Sequence, residues 1–156
     1  MPAQKNCVTI IAMTAKTMFT KKQQSAFAAI ARKFSLNFII LFGSQAKGKT
    51  SLVSDVDVAV LPRNGLDFSS FSLIAHQLGK IIGNYNIDLA SVKHASPLFL
   101  GQIAKNCQPL YEEKKGDFLS FCLMAMKRYA DAQPIFKCQE KHLKQKIKKY
   151  KRELSE

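Results

Sequence analysis

Apolar positions follow a helical spacing in some stretches of the chain and run together or alternate in others. Behind Thr20, which opens a Thr-x-x-Gln capping box, they recur every three or four residues, so a helix is predicted over residues 21–34. Residues 37–42 form a short apolar run rich in Ile and Phe that ends at Gly43, which is typical of a strand buried on both faces. A short helical turn is predicted to begin at Ser44.

Two later strands each carry a carboxylate. Strict alternation over residues 55–60 places Asp55 and Asp57 on one face of a strand and three valines on the other. Residues 86–92 predict another strand, with Asp88 on one face. In both strands an alanine follows the carboxylate after two residues, which is expected to leave space above the sheet.

Two helices are predicted around the strand at 86–92. An apolar stripe in residues 71–82 predicts the first, which Gly83 closes. Ser96 and Pro97 suit the N-cap and first-turn positions of the second, which is expected to run to about Asn106.

The end of the chain is predicted to be helical. A short edge strand at residues 109–112 precedes it, and from Gly116 the pattern is helical to the end, with a kink or break at Pro134. Before the proline the helix is apolar on two sides, so it must contact two surfaces. Beyond it a narrow apolar stripe continues through a lysine-rich segment.

The totals fit one domain with a single core. A chain of 156 residues, 47% apolar, is long enough to bury such a core without disulfides, and the four cysteines show no CxxC pair. A reducing, cytoplasmic setting is therefore expected, and the lack of an eighteen-residue apolar run predicts no membrane helix. We expect a disordered leader at 1–19, unless Met18 is the biological start, a domain at 20–112 and a helical extension at 113–156.

The net charge of +13 is concentrated at the two ends of the chain. Residues 1–33 hold six Lys and Arg and no acid, and residues 137–156 hold eight against three acids. The middle holds ten basic and eight acidic residues. This distribution would steer an acidic partner or RNA towards the molecule rather than line a catalytic groove. A solvated helix face is the simpler interpretation of the lysines.

The three aspartates suit metal-assisted phosphoryl transfer. Like charges this close are costly unless divalent cations neutralise them, and carboxylate oxygens favour Mg²⁺ or Mn²⁺. Asp55, Asp57 and Asp88 therefore predict a two-metal site. Gly43 lets the backbone approach phosphate oxygens, which the Ser44 hydroxyl and the amides of the turn can bind. The alternative is a pair of aspartates on a solvated strand edge.

A resemblance to a known family rests on this spacing. Residues 43–57 consist of Gly-Ser, ten residues and Asp-Val-Asp, and this resembles the GSx10DxD signature of the polymerase-β-like nucleotidyltransferases. Gly48 and Ser54 fit the commonest form of the motif, and Asp88 falls where the family places its third carboxylate. The resemblance implies an α/β fold with a small mixed sheet flanked by helices and a C-terminal helical extension.

The short chain resembles a subgroup of that family. The helical end, with Tyr111, Tyr129, Asp131 and Pro134, is similar to that of the minimal nucleotidyltransferase (MNT, MntA-type) antitoxins, which are paired with HEPN ribonuclease toxins; the resemblance covers about residues 20–140. It implies that AMP passes from ATP to a tyrosine hydroxyl of the toxin, which silences its ribonuclease site and releases pyrophosphate. A HEPN toxin is then the expected partner, and a homo-oligomer through the C-terminal helices is an alternative assembly.

The resemblance also implies roles for single residues. Asp55 and Asp57 would ligate two Mg²⁺ ions, with Mn²⁺ as an alternative, and Asp88 would complete the ligands and help to deprotonate the attacking hydroxyl. The triphosphate would be held by three residues of the turn: Gly43, Ser44 and Lys47.

One position departs from the family pattern. Members often carry Arg after the Gly-Ser pair, where this chain has Gln45, although Lys47 and Lys49 lie nearby. Lysine supplies charge without the two-pronged geometry of arginine. Two other functions stay open: an antitoxin that acts by binding alone, and a nucleotidyltransferase for small molecules of the aminoglycoside type. Enzymes of the latter type usually carry an extra domain.

Overall fold

The computed structural model describes residues 19–47 and 55–154 of the chain. Several features discussed above lie outside the described residues: the leader up to and including Met18, and Gly48, Lys49 and Ser54.

Within residues 19–47 and 55–154, four helices and four strands follow one another in the order that the sequence predicts. They are α1 (Lys21–Lys33), β1 (Leu36–Phe42), β2 (Val56–Pro62), α2 (Phe68–Ile82), β3 (Ile87–Ser91), α3 (Pro97–Lys105), β4 (Cys107–Glu112) and α4 (Asp117–Glu153), with a 3₁₀ turn at Gln45–Lys47. The predicted caps at Thr20, Gly83 and Ser96 are all present. Helix α2 begins earlier than its apolar stripe because the Asp67 side chain accepts a hydrogen bond from the Ser70 amide.

The strands form one mixed sheet in the order β3-β2-β1-β4. Strand β1 is antiparallel to both β2 and β4, whereas β2 and β3 are parallel. The predicted α/β class and small mixed sheet are confirmed. Strand β1 lies in the interior of the sheet and is buried on both faces, as its apolar run predicts.

Each face of the sheet is covered by a pair of helices. The three valines of β2 pack against α1 and α2, together with Leu36, Ile39 and Leu41 of β1. On the opposite face Ala59 packs among side chains of α3 and α4, including Leu100 and Phe121. The predicted alternation is therefore confirmed, but the space expected above Ala59 is filled by this second cluster.

Helix α4 runs through Pro134 over 37 residues, so of the predicted kink or break the break is wrong and the kink stays a prediction. A proline removes one backbone donor, and the helical turns on both sides keep the conformation here. The first part of α4 packs on α3 at Gly101, where an added Cβ would overlap the Tyr129 ring. Among the described residues no helix is long and apolar enough to cross a membrane.

Candidate active site

The turn after β1 begins with a glycine in a left-handed conformation. Gly43 has a φ of +76°, which residues with a Cβ rarely adopt. The chain then passes through Ser44, which is exposed, into the 3₁₀ turn that starts at Gln45. The predicted turn with an accessible serine hydroxyl is therefore present.

Gly43 lies directly against the carboxylate of Asp57. The antiparallel register, which pairs Leu41 with Val58, brings the end of β1 alongside the start of β2. A Cβ added at Gly43 would overlap Asp57 Oδ2 and lie 2.9 Å from Asp57 Cγ. A side chain at position 43 would therefore displace the carboxylate, and the glycine is needed for this contact as well as for its φ.

Asp57 and Asp88 are direct neighbours across the two parallel strands. The register pairs them, and Asp55 lies just ahead of β2. Partial burial raises the pKa of Asp57, and the charges of Asp88 and then Asp55 raise it further. The three carboxylates thus form one electrostatic cluster, although Asp55 and Asp88 are exposed and only Asp57 is half-buried.

The cluster is suited to a hard divalent cation. Three carboxylates whose charges repel one another gain from a positive ion, and oxygen donors favour Mg²⁺ or Mn²⁺. Within the described residues no three His, Cys, Asp or Glu side chains are arranged as a ready metal cage. Further oxygen ligands, such as those of a nucleotide, would have to complete the coordination.

Gln108 supports the turn and was missed by the sequence analysis. Its side-chain Nε2 donates a hydrogen bond of 3.0 Å to the carbonyl oxygen of Ala46. The two residues are 62 positions apart, and no motif or spacing marks Gln108 in the sequence. Strand β4 thereby holds the turn that the sequence assigns to phosphate. Lys47 lies in the same turn, and its contact with phosphate stays a prediction.

Two thiols lie behind the same turn. Cys107 pairs with Phe42 in the sheet, and its Sγ lies 3.8 Å from Sγ of Cys122 on α4, too far for a disulfide bond. The hydrogen bond to Cys122, together with burial, raises the pKa of the Cys107 thiol. Cys107 therefore stays protonated and contributes packing rather than a nucleophile.

Comparison with known proteins identifies the family to which the chain is similar. The sequence profile of the family described as "Polymerase beta, Nucleotidyltransferase" matches residues 26–116, more than half of the chain. No curated protein sequence matches the chain.

Three solved structures illustrate the similarity of fold. A toxin–antitoxin crystal structure with AMP-PNP is 24% identical, with 75% of this chain and 98% of that chain covered and a TM-score of 0.60. A tri-AMPylated Shewanella oneidensis HEPN toxin in complex with MNT antitoxin is 22% identical, with 76% of this chain and 97% of that chain covered and a TM-score of 0.55. An MntA–HepT toxin–antitoxin structure is 22% identical, with 78% of this chain and 99% of that chain covered and a TM-score of 0.55. At these identities the similarity establishes a shared fold.

Proposed function

The chain belongs to the polymerase beta nucleotidyltransferase family, and from this premise we propose that it transfers AMP from ATP to a tyrosine hydroxyl of a cognate HEPN ribonuclease toxin, and so acts as an antitoxin. The observation that carries the proposal is the contact between Gly43 and the Asp57 carboxylate. This contact joins the phosphate-binding turn to the carboxylate cluster. A nucleotide bound at the turn would place its phosphates next to the carboxylates.

The turn supplies the groups that hold the triphosphate. Gly43 presents backbone without a Cβ, and the exposed Ser44 hydroxyl can donate to a phosphate oxygen. Lys47 would add positive charge, since Gln45 cannot replace the arginine that related sequences often carry. Gln108 fixes the turn through Ala46, which keeps its amides in place when the nucleotide binds.

The carboxylates supply the groups that act on the acceptor. The tyrosine oxygen would attack the α-phosphorus, form a new P–O bond and break the bond to pyrophosphate, while its proton passes to Asp88. Asp55, Asp57 and Asp88 would hold Mg²⁺, or Mn²⁺ in its place. When bound, these ions activate the hydroxyl and neutralise charge on the triphosphate. Burial, and then the charges of Asp88 and Asp55, raise the pKa of Asp57; the repulsion among the three carboxylates supports this assignment, because a cation would relieve it.

The choice of acceptor is supported by what has been seen on the same fold. One similar structure holds a tri-AMPylated HEPN toxin with an MNT antitoxin, and another is a toxin–antitoxin structure with AMP-PNP. Nearly the whole length of those chains aligns with this one, so this chain has the same minimal core. A HEPN toxin is therefore a better candidate acceptor than an aminoglycoside.

The catalytic proposal is tested by labelling. Full-length protein is incubated with α-³²P-ATP, Mg²⁺ and a cognate HEPN protein, and label on the HEPN protein is measured. We expect labelling by the wild type and none by an Asp55→Asn, Asp57→Asn double variant. A matched control is the Asp67→Asn, Asp117→Asn variant, in which the Asn side chains can accept the same hydrogen bonds from the Ser70 and Lys114 amides. Equal labelling by all three proteins would refute the proposal.

The antitoxin role needs a separate measurement. Cells that express the HEPN protein are expected to grow only when the wild type or the control variant is present. If the Asp55→Asn, Asp57→Asn variant also restores growth, neutralisation occurs by binding alone. The two experiments thus distinguish loss of chemistry from loss of the complex.

A further inference from the structure

The two ends of α4 differ in burial. Near its start Phe121, Cys122 and Ala125 are buried in the core. Residues 137–154, here called the distal helix, are exposed at every position. With a rise of 1.5 Å per residue the distal helix is about 27 Å long. A helix of this length that is exposed at every position leaves its surface accessible to a partner.

The distal helix carries a continuous apolar stripe. Its members lie four, three and four residues apart, which is the spacing of the a and d positions of a heptad. They are between 54% and 88% exposed. The stripe consists of Leu143, Ile147, Tyr150 and Leu154. Such a stripe fits into the side-chain spaces of one facing helix.

The charges of the distal helix do not favour its stability in isolation. It holds eight Lys and Arg and two acids. Two ion pairs, Glu140–Lys144 at 2.6 Å and Lys149–Glu153 at 3.7 Å, are exposed and four residues apart. The other three pairs of charged residues at that spacing are all basic with basic, which opposes helix formation. A partner that supplies negative charge would remove this repulsion.

The residues beside the stripe indicate the sign of the charge that a partner should carry. In the heptad frame the flanking e and g positions are Lys144, Lys146, Lys151 and Glu153. A second copy of the chain in parallel would set Lys146 against Lys151, so parallel self-pairing is opposed. An RNA would contact the lysines and leave the apolar stripe in water. A membrane favours a wide apolar face with a polar face opposite, not one narrow stripe.

We propose that the distal helix is a docking surface for an acidic amphipathic helix of a partner protein. Apolar side chains of that helix would pack on the stripe, and its Asp and Glu residues would lie beside Lys144, Lys146 and Lys151. The proposal goes beyond nucleotidyl transfer and depends on none of the active-site residues.

A synthetic peptide tests this surface directly. The acidic peptide has four heptads with leucine at a and d and glutamate at e and g. The control peptide is basic, with lysine at e and g in place of glutamate. Full-length protein is titrated by calorimetry and circular dichroism. The acidic peptide is expected to bind with a gain in helicity, and the basic peptide is not. Binding of both peptides with equal affinity would overturn the proposal.

Two charge variants separate docking from general attraction. Lys144→Gln, Lys146→Gln, Lys151→Gln removes the flanking charges, and we expect binding of the acidic peptide to weaken about tenfold. The matched control removes three charges that face away from the stripe: Lys141→Gln, Lys148→Gln, Arg152→Gln. The control is expected to change binding by less than about threefold at physiological salt. An equal loss in both variants would mean that only net charge matters.

A third variant examines the stripe and the alternative ligands. Leu143→Ser, Ile147→Ser is expected to abolish binding of the acidic peptide without unfolding the domain, because both residues lie outside the core. Sedimentation equilibrium measures self-association of the wild type and of this variant. If the wild type self-associates and the variant does not, the stripe binds a second copy of the chain and the proposal is refuted. Tight binding of single-stranded RNA or of phosphatidylserine vesicles, with none of the acidic peptide, would also refute the proposal.

Discussion

The two faces of β2 contribute differently to the protein. On one face Val56, Val58 and Val60 are fully buried and hold the sheet against α1 and α2. On the other, Asp57 is half-buried beside two like charges, and this burial, followed by the two charges, raises its pKa. Burial of the valines stabilises the fold, whereas the ionised carboxylate opposes it. Along this one strand, residues that stabilise the fold thus alternate with a residue suited to chemistry.

The largest effect is expected when the valine face becomes polar. Val58→Asn would remove buried apolar surface and leave an amide without partners. It should lower the free energy of unfolding by about 3–5 kcal/mol. Urea denaturation measures the loss. The Asp57→Asn variant introduces the same side chain one position earlier. If Val58→Asn were as stable as Asp57→Asn, the valine face would not be the one that stabilises the fold.

Substitution at the contact between turn and strand should have the next largest effect. Gly43→Ala would strain a φ of +76° and push the Asp57 carboxylate aside. We expect a loss of about 2 kcal/mol in unfolding free energy, together with loss of nucleotidyl transfer. Gly65→Ala is the matched control, because an added Cβ there meets no atom within 4 Å. In a double-mutant cycle, adding Asp57→Ala should recover part of the stability lost in Gly43→Ala, since the overlapping carboxylate is then absent.

A smaller effect is expected at the support behind the turn. Gln108→Ala removes the hydrogen bond to Ala46 and should lower the free energy of unfolding by about 1 kcal/mol. Since the turn would then hold the nucleotide less firmly, KM for ATP should rise by about three- to tenfold. Steady-state kinetics measure this change, with Gln102→Ala on the exposed surface of α3 as the control. An unchanged KM would mean that the turn keeps its geometry without Gln108.

The smallest effect on stability, and the only one of opposite sign, is expected for Asp57→Asn. The folded protein raises the pKa of Asp57 above 3.8, so its ionised form opposes folding at pH 7. The variant should therefore be slightly more stable than the wild type at pH 7 without divalent cations. The difference should disappear as the pH falls through the raised pKa to below 3.8, because the wild-type carboxyl is then neutral as well. Urea denaturation at pH 7 and pH 3 shows whether this sign is correct.

Much of the fold could be predicted from the sequence because its signals are local. Caps at Thr20 and Ser96 depend on side chains within three residues, and the division of β2 into two faces follows from a period of two. The order of the elements and the spacing from Gly43 to Asp57 needed no knowledge of the packing. Pro134 shows the limit of a local rule, since α4 continues through it.

The contacts within the site were decided by the tertiary structure. The overlap that a Cβ at Gly43 would make with Asp57 follows from the register of β1 with β2, and the pairing of Asp57 with Asp88 from that of β2 with β3. Gln108 reaches Ala46 across 62 positions. The register of each strand pair depends on how both faces of the whole sheet pack. That packing involves residues far apart in the chain, so no local sequence pattern predicts it. The sequence by itself determined which residues could do the chemistry, and only the folded sheet determined which of them touch.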